Sequence, residues 1–166
     1  MATFDVIIIG GGAAGLMAAF SVKKHHPDYA VAIFERSFAL GRKILVSGAG
    51  RCNLTNRNLE DNPGQYYYTD DPEVVEQTFS NFSYRDILKF FHNQGILTYE
   101  EKKNAAGKIF PVTDQAKNVL AILLDHLQQL NIDIRLELEV NNLTETRQGF
   151  LVKTTAGDGK QYDHFA

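Results

Sequence analysis

Apolar positions along this chain change period several times, and each change marks an element. Phe4 to Ile9 is a short run of Val and Ile interrupted only by Asp5, the pattern of a strand buried on both faces of a parallel sheet. Three glycines follow. Ala13, Leu16, Met17 and Phe20 then recur on one helical face, Lys23, Lys24, His25 and His26 sit where a helix C-terminus favours positive charge, and Pro27 ends the helix. A second β-rich run, Ala30 to Phe34, closes at Glu35 and completes a strand, helix, strand unit of about 30 residues, the size of a right-handed βαβ crossover.

From Arg36 to Asn58 the periodicity is lost, with Gly41, Gly48 and Gly50 as breakers, and so long an irregular stretch usually carries function. Asp71 before Pro72 reads as an N-cap with proline at the first helical position. Ser83 with Asp86 reads as a second helix start, ending near Gly95. Thr113 or Asp114 opens a longer helix whose Ala116, Val119, Leu120, Leu123, Leu127 and Leu130 form one stripe as far as Asn131. Ile132, Ile134, Leu136, Leu138 and Val140 then alternate with polar residues as in a single strand. Leu143 to Thr146, Phe150 to Thr154 and Tyr162 to Phe165, parted by glycine-containing turns, read as a small antiparallel meander. The expected class is α/β with a doubly wound parallel sheet.

The 166 residues are 44% hydrophobic, enough for one core, so a single domain or a piece of a larger one is expected. A formal charge of -3 argues against a nucleic-acid partner, because domains that neutralise phosphates are basic. No run reaches the roughly 18 apolar residues of a membrane span, and Asp5 with Gly10, Gly11 and Gly12 spoils a signal peptide, so a cytoplasmic protein without membrane contact is expected. The lone Cys52 can form neither an internal disulfide nor a cysteine-rich metal site, and no metal is expected.

Candidate chemistry concentrates near the start. Gly10, Gly12 and Gly15 satisfy G-x-G-x-x-G: the first allows the tight turn, the second lets backbone approach a diphosphate, and the third permits close contact of helix and strand. With Ala13 and Ala14 they open a helix whose N-terminal N–H groups and dipole favour an anion. Glu35, twenty positions after Gly15, sits where a carboxylate accepts ribose hydroxyls and repels a 2′-phosphate, so FAD or NAD is expected rather than NADP. Arg36, Arg42, Lys43, Arg51 and Arg57 make the stretch between Glu35 and Glu60 cationic with no acid among them, and Arg42 and Lys43 foremost are placed to meet a diphosphate or an anionic reduced flavin. Cys52 is better read as a small buried thiol than as a redox centre. His92, His126 and His164 read as packing or surface residues, and no catalytic acid or base is nominated.

GGGAAGLMAA from Gly10, the strand-ending Glu35, GRKILVSGAGRCNLTN from Gly41 to Asn56 and GKIFPVTDQA from Gly107 to Ala116 together resemble the bacterial flavoproteins that include aminoacetone oxidase-type and dehydro-bile-acid reductase-type enzymes. The resemblance spans essentially the whole chain, and its middle segment is far more specific than the glycine triplet. It implies FAD held in a Rossmann-like FAD-binding domain of the glutathione reductase type, with the meander after the third parallel strand. It also implies an oxidoreductase acting on a small organic substrate, with a nicotinamide cofactor or oxygen as redox partner. By position it places Ser47, Gly50, Arg51, Cys52, Asn53 and Thr55 near the flavin end of the cofactor and Val140 beside the adenine through its backbone. Two departures stand out: Ala49 replaces a glycine usual in the family, and members continue beyond the equivalent of Ala166. Residues 1–166 are therefore expected to be the N-terminal part of a truncated FAD-binding domain, inactive alone, without its remaining segment and substrate domain. An NAD-binding dehydrogenase domain fits the glycines and Glu35 equally well, and a non-catalytic dinucleotide-binding module is the other alternative.

Overall fold

A computed structural model describes residues 2–61, 63–67, 69–102 and 107–166. In chain order the elements begin with β1 (Ala2–Thr3), β2 (Val6–Ile9), α1 (Ala13–His25), β3 (Val31–Phe34) and α2 (Arg42–Val46). There follow β4 (Thr55–Asn56), α3 (Pro72–Asn81), α4 (Tyr84–Asn93), β5 (Thr98–Glu100) and β6 (Lys108–Pro111). The chain ends through α5 (Ala116–Gln129), β7 (Asp133–Arg135), β8 (Leu138–Thr146), β9 (Gly149–Ala156) and β10 (Gln161–Phe165). These elements form two compact units: the chain up to Ile44 together with Leu123–Ala166, and Leu45–Ile122.

The first unit holds a parallel sheet in the order β2, β3, β7, with register running from Val6↔Val31 to Ile9↔Phe34 and from Ala32↔Asp133 to Phe34↔Arg135. All four residues of the central β3 are buried, as its unbroken Val-Ala-Ile-Phe run requires. Helix α1 buries Leu16, Ala19 and Phe20 and packs on β2 and β3. A second sheet, in the order β1, β10, β9, β8, is the expected meander with an added edge strand. Ala32, Phe34, Leu138 and Val152, with Phe4, Ile7, Val140 and Ala156 packed around them, form a core shared by the two sheets.

Three expectations are corrected here. Phe4 to Ile9 is not one strand buried on both faces. Ala2–Thr3 pairs with β10, Asp5 breaks the run by accepting the Ala30 N–H at 2.7 Å, and β2 is an edge strand whose Ile9 is 55% exposed. The alternation from Ile132 to Val140 is likewise two strands in two sheets. Glu137 takes a left-handed conformation (φ 52) between them, and the Glu137 and Leu138 N–H groups donate to Ser37 and Glu35 carbonyls. The stretch after Arg36 is less irregular than its lost period implies, since it contains α2, the 3₁₀ turns Ser47–Gly50 and Arg57–Glu60, and β4.

The second unit contains the antiparallel sheet β4, β6, β5, which the hydrophobic pattern did not reveal. Its strands are too short to show a period. Asp71 caps α3 through the Val74 N–H ahead of Pro72, and Ser83 with Asp86 forms a full capping box on α4. Helix α5, which starts in this unit and ends in the first, opens at Ala116 rather than at Thr113 or Asp114, because Asp114 is itself left-handed (φ 51).

One buried polar network in the first unit carries a pH dependence. His164 is 3% exposed and lies edge-on to Phe34, with Nε2 at 3.1 Å from Thr154 Oγ1 and Nδ1 at 3.4 Å from an Arg135 nitrogen. A guanidinium only donates, so Nδ1 accepts and Nε2–H donates to Thr154, which assigns a neutral tautomer. Burial first, and the Arg135 charge second, hold this imidazole below its ordinary range. The unfolded chain therefore takes up a proton that the fold refuses, and the stability contributed by neutral His164 is present above the ordinary histidine pKa of about 6.5 and is lost as the pH falls below it. Urea midpoints measured from pH 7.5 to pH 5 should fall faster for the wild type than for His164→Gln; parallel profiles would refute the assignment.

Candidate cofactor site

The turn between β2 and α1 is built around missing side chains. Gly10 has φ 99 and donates its N–H to the Phe34 carbonyl at 2.8 Å. A Cβ on Gly15 would stand 1.9 Å from the Gly10 carbonyl oxygen, so helix and turn meet backbone to backbone. A Cβ on Gly12 would meet nothing within 4 Å, which leaves its backbone open to an approaching group. Gly12 is also the N-cap of α1 and offers no side-chain acceptor, and the first turn has no acidic residue while Ala13 and Ala14 are exposed. These features suit a diphosphate.

Glu35 reaches the same turn. Its Oε2 accepts the Gly11 N–H at 2.8 Å and its Oε1 accepts the Ser37 N–H at 2.7 Å. Each carboxylate oxygen keeps a further lone pair, so the clasp leaves acceptors for ribose hydroxyls. Gly11, which the triplet reading passed over, is close-packed: a Cβ there would lie 2.1 Å from Leu40 Cδ2, the end of a side chain that can shift. Its only sequence signal is that three glycines stand in a row. Nearby, Arg42 donates to Ser37 Oγ at 3.0 Å and lies 5.0 Å over the Phe38 ring, while Arg36 and Lys43 are exposed. Val140 is half-buried in the core of the same unit, next to a bulge that falls between Val140 and Asn142.

In the second unit the residues from Ser47 to Thr55 form a tight left-handed turn. Gly48, Ala49, Gly50 and Cys52 all have positive φ, at 55, 57, 82 and 65, and the Cys52 N–H closes the turn on the Ser47 carbonyl at 3.0 Å. Gly48 must lack a side chain, since a Cβ would lie 2.7 Å from Asn53 N and 2.9 Å from Phe110 Cε1. The Asn53 amide, with its nitrogen facing the strands, donates to the Ile109 carbonyl at 3.2 Å and the Thr55 carbonyl at 3.0 Å. Thr55 Oγ1 is buried without a hydrogen-bond partner among the described residues. Such an orphaned hydroxyl fits a place completed by a bound group. Cys52 is 4% exposed, and burial, offset in part by the Ser47 hydroxyl, pushes its thiol up, so it is protonated near neutral pH. Arg51 turns instead to its own unit: its guanidinium is 2.9 Å from Glu101, 4.0 Å from Asp114 and 3.9 Å over the Phe110 ring. Glu101, Asp114 and Phe110 were invisible as partners because they are about 50 or more residues away in sequence.

A parallel sheet with a glycine turn clasped by a strand-ending glutamate, joined to an antiparallel meander, defines a Rossmann-type dinucleotide-binding domain. Residues 4–164 match the family described as the HI0933-like protein Rossmann domain. The chain belongs to that family. It is 35% identical over 155 residues to the 3-dehydro-bile acid delta(4,6)-reductase of Clostridium scindens, covering 93% of this chain and 36% of that protein. It is 33% identical over 150 residues to the ribosomal RNA dihydrouridine synthase of Escherichia coli, covering 90% of this chain and 35% of that protein. The chain thus spans about a third of the length of these curated relatives. The 3-ketosteroid-delta4-(5alpha)-dehydrogenase of Rhodococcus jostii superposes with a TM-score of 0.72 over 99% of this chain and 44% of its own, at 11% identity, which shows the shared fold.

Two substitutions test the turns separately. Gly15→Ala forces a Cβ into a backbone carbonyl and should lower unfolding stability by about 2 kcal/mol or more, read as a fall in urea midpoint. Ala49→Gly relieves a left-handed alanine and should raise stability by about 0.5 to 1 kcal/mol in the same assay. A destabilised Ala49→Gly variant would refute the conformation assigned to the 47–53 turn.

Proposed function

We propose that this chain is the FAD-binding part of an oxidoreductase that saturates a carbon–carbon double bond conjugated to a carbonyl in a small organic substrate. The dinucleotide part of this reading is carried by the Glu35 clasp on the glycine turn, and the choice of FAD over NAD by the Gly41–Asn56 segment, for which an NAD enzyme has no evident need. The reaction half rests on what the two named relatives have in common. A 3-oxo steroid with Δ4,6 unsaturation and a uracil ring both present a C=C conjugated to C=O, and both named activities add two hydrogens across it. FAD in its reduced form supplies the hydride for such a step.

The chain's own residues bind and orient. Gly10, Gly12 and Gly15 shape the turn, and the N–H groups at the start of α1, around Ala13 and Ala14, receive the diphosphate. Glu35 takes the ribose hydroxyls and rejects a 2′-phosphate. Arg36, Arg42 and Lys43 add positive potential, and the Val140 backbone meets the adenine. Ser47, Gly50, Cys52, Asn53 and Thr55 serve the ring end, the Thr55 hydroxyl being the acceptor and donor that lacks a partner among the described residues. A nicotinamide cofactor fits as the source of electrons, with oxygen as the competing oxidant. The net charge of -3 favours a small molecule over RNA as the substrate that this part of the protein helps to hold. Among the described residues no helix is long and apolar enough to cross a membrane.

Ultrafiltration of the purified chain with FAD or NAD, followed by visible absorption, tests the cofactor. FAD should be retained and NAD should not; retention of NAD alone would overturn the reading. In the protein that carries this domain, anaerobically reduced flavin should be reoxidised by an enone such as a 3-oxo-4-ene steroid. Reoxidation by uridine-containing ribosomal RNA and not by enones would replace the small-molecule reading with the RNA one.

A further inference from the structure

Arg51 lies in the most specific motif of the chain and carries one of the loop's five positive charges, yet its surroundings are wrong for an anion ligand. Glu101 and Asp114 bring two negative charges to its one, so the cluster as a whole is negative. Tyr99 fixes the second carboxylate by donating its hydroxyl to Asp114 at 2.8 and 3.0 Å. The guanidinium is also stacked on Phe110, a side chain only 1% exposed, at a distance that places it in close cation–π contact. Phe110 is the same ring against which Gly48 packs without a Cβ. Arg51 and Gly48 therefore hold one anchor between them, with left-handed Ala49 and Gly50 between the two and left-handed Cys52 just after Arg51.

We propose that Arg51 is a positioning residue: held by Glu101, Asp114 and the Phe110 ring, it locks the Gly48–Cys52 turn in its left-handed form and does not itself contact the cofactor. The lock matters because Ala49 and Cys52 carry side chains in a region that disfavours them, and a turn so built relaxes unless its surroundings over-determine it. Arg51 follows Gly50 and precedes Cys52, so holding its side chain restrains the backbone between two left-handed residues. The part of this inference that concerns FAD rests on the reading above; the conformational part does not.

Cys52 is the sole cysteine, buried beneath this turn, and so reports on the lock without any label. Its reaction with Ellman's reagent should be slow in the wild type and roughly tenfold faster or more in Arg51→Met and in Glu101→Gln, because each frees the turn to open. The double variant should react no faster than Arg51→Met alone, since both changes break one clamp. Thiol rates unchanged in both single variants, or rates that multiply in the double variant, would overturn the proposal. Affinity for FAD separates the two roles of Arg51 by sign. A positioning role makes Glu101→Gln bind FAD more weakly than the wild type. Direct contact with the anionic cofactor makes it bind more tightly, because a competing carboxylate has been removed, and that result would refute the proposal. If the wild type retains no FAD, the cofactor reading fails by itself while the thiol rates still decide whether the clamp exists.

Discussion

The first unit depends on Glu35 more than on any other residue, because four separate segments are tied to it. Its side chain takes the Gly11 and Ser37 N–H groups, its own N–H donates to Arg135 at the end of β7, and its carbonyl accepts from Leu138 at the start of β8. The glycine turn, the exit of β3, the last parallel strand and the first strand of the meander therefore meet at one position. A glutamate is long enough to reach back across the turn, and ionised it offers acceptors in both directions. The side chain clasps the glycine turn while the backbone of the same residue joins the two sheets.

The second unit solves a different problem. A run of left-handed residues costs free energy wherever a Cβ is present, and this turn holds two such residues, Ala49 and Cys52, beside two glycines. What offsets the cost is the Phe110 ring of β6 and the carboxylates of Glu101 and Asp114, from outside the motif, and the Asn53 amide within it, bridging two strand carbonyls. The small sheet of β4, β6 and β5 frames the loop, and its Ile109 also packs with Leu59 and Tyr84 in a core of the second unit.

Much of this was legible in the sequence, and the failures have specific causes. The glycine triplet, the caps at Asp71 and Ser83 and the stripe of α5 follow from spacing because each depends on residues within a few turns of one another, and Glu35 follows from its fixed offset after the triplet. Period-two alternation could not see that Glu137 divides β7 from β8, since a left-handed residue leaves the pattern of side-chain types intact. Gly11 looked redundant because its constraint is Leu40, which no motif links to it. The cationic stretch after Glu35 was read as charge available to a ligand. For Arg51 that reading did not see the acids of a distant segment, while Arg36 and Lys43 are exposed.

The edge strand β1 has a consequence for how the chain assembles. Ala2 and Thr3 pair in parallel with His164 and Phe165, so a strand made before the rest of these residues waits for a partner made near their end. The halves of the first unit are also separated by the whole of the second, which is continuous in sequence. High contact order slows the first unit and leaves the second free to collapse on its own nearby pairings. During translation the βαβ segment with its apolar β2 edge emerges early and spends the longest time without its neighbours, which makes it the stretch most in need of a chaperone.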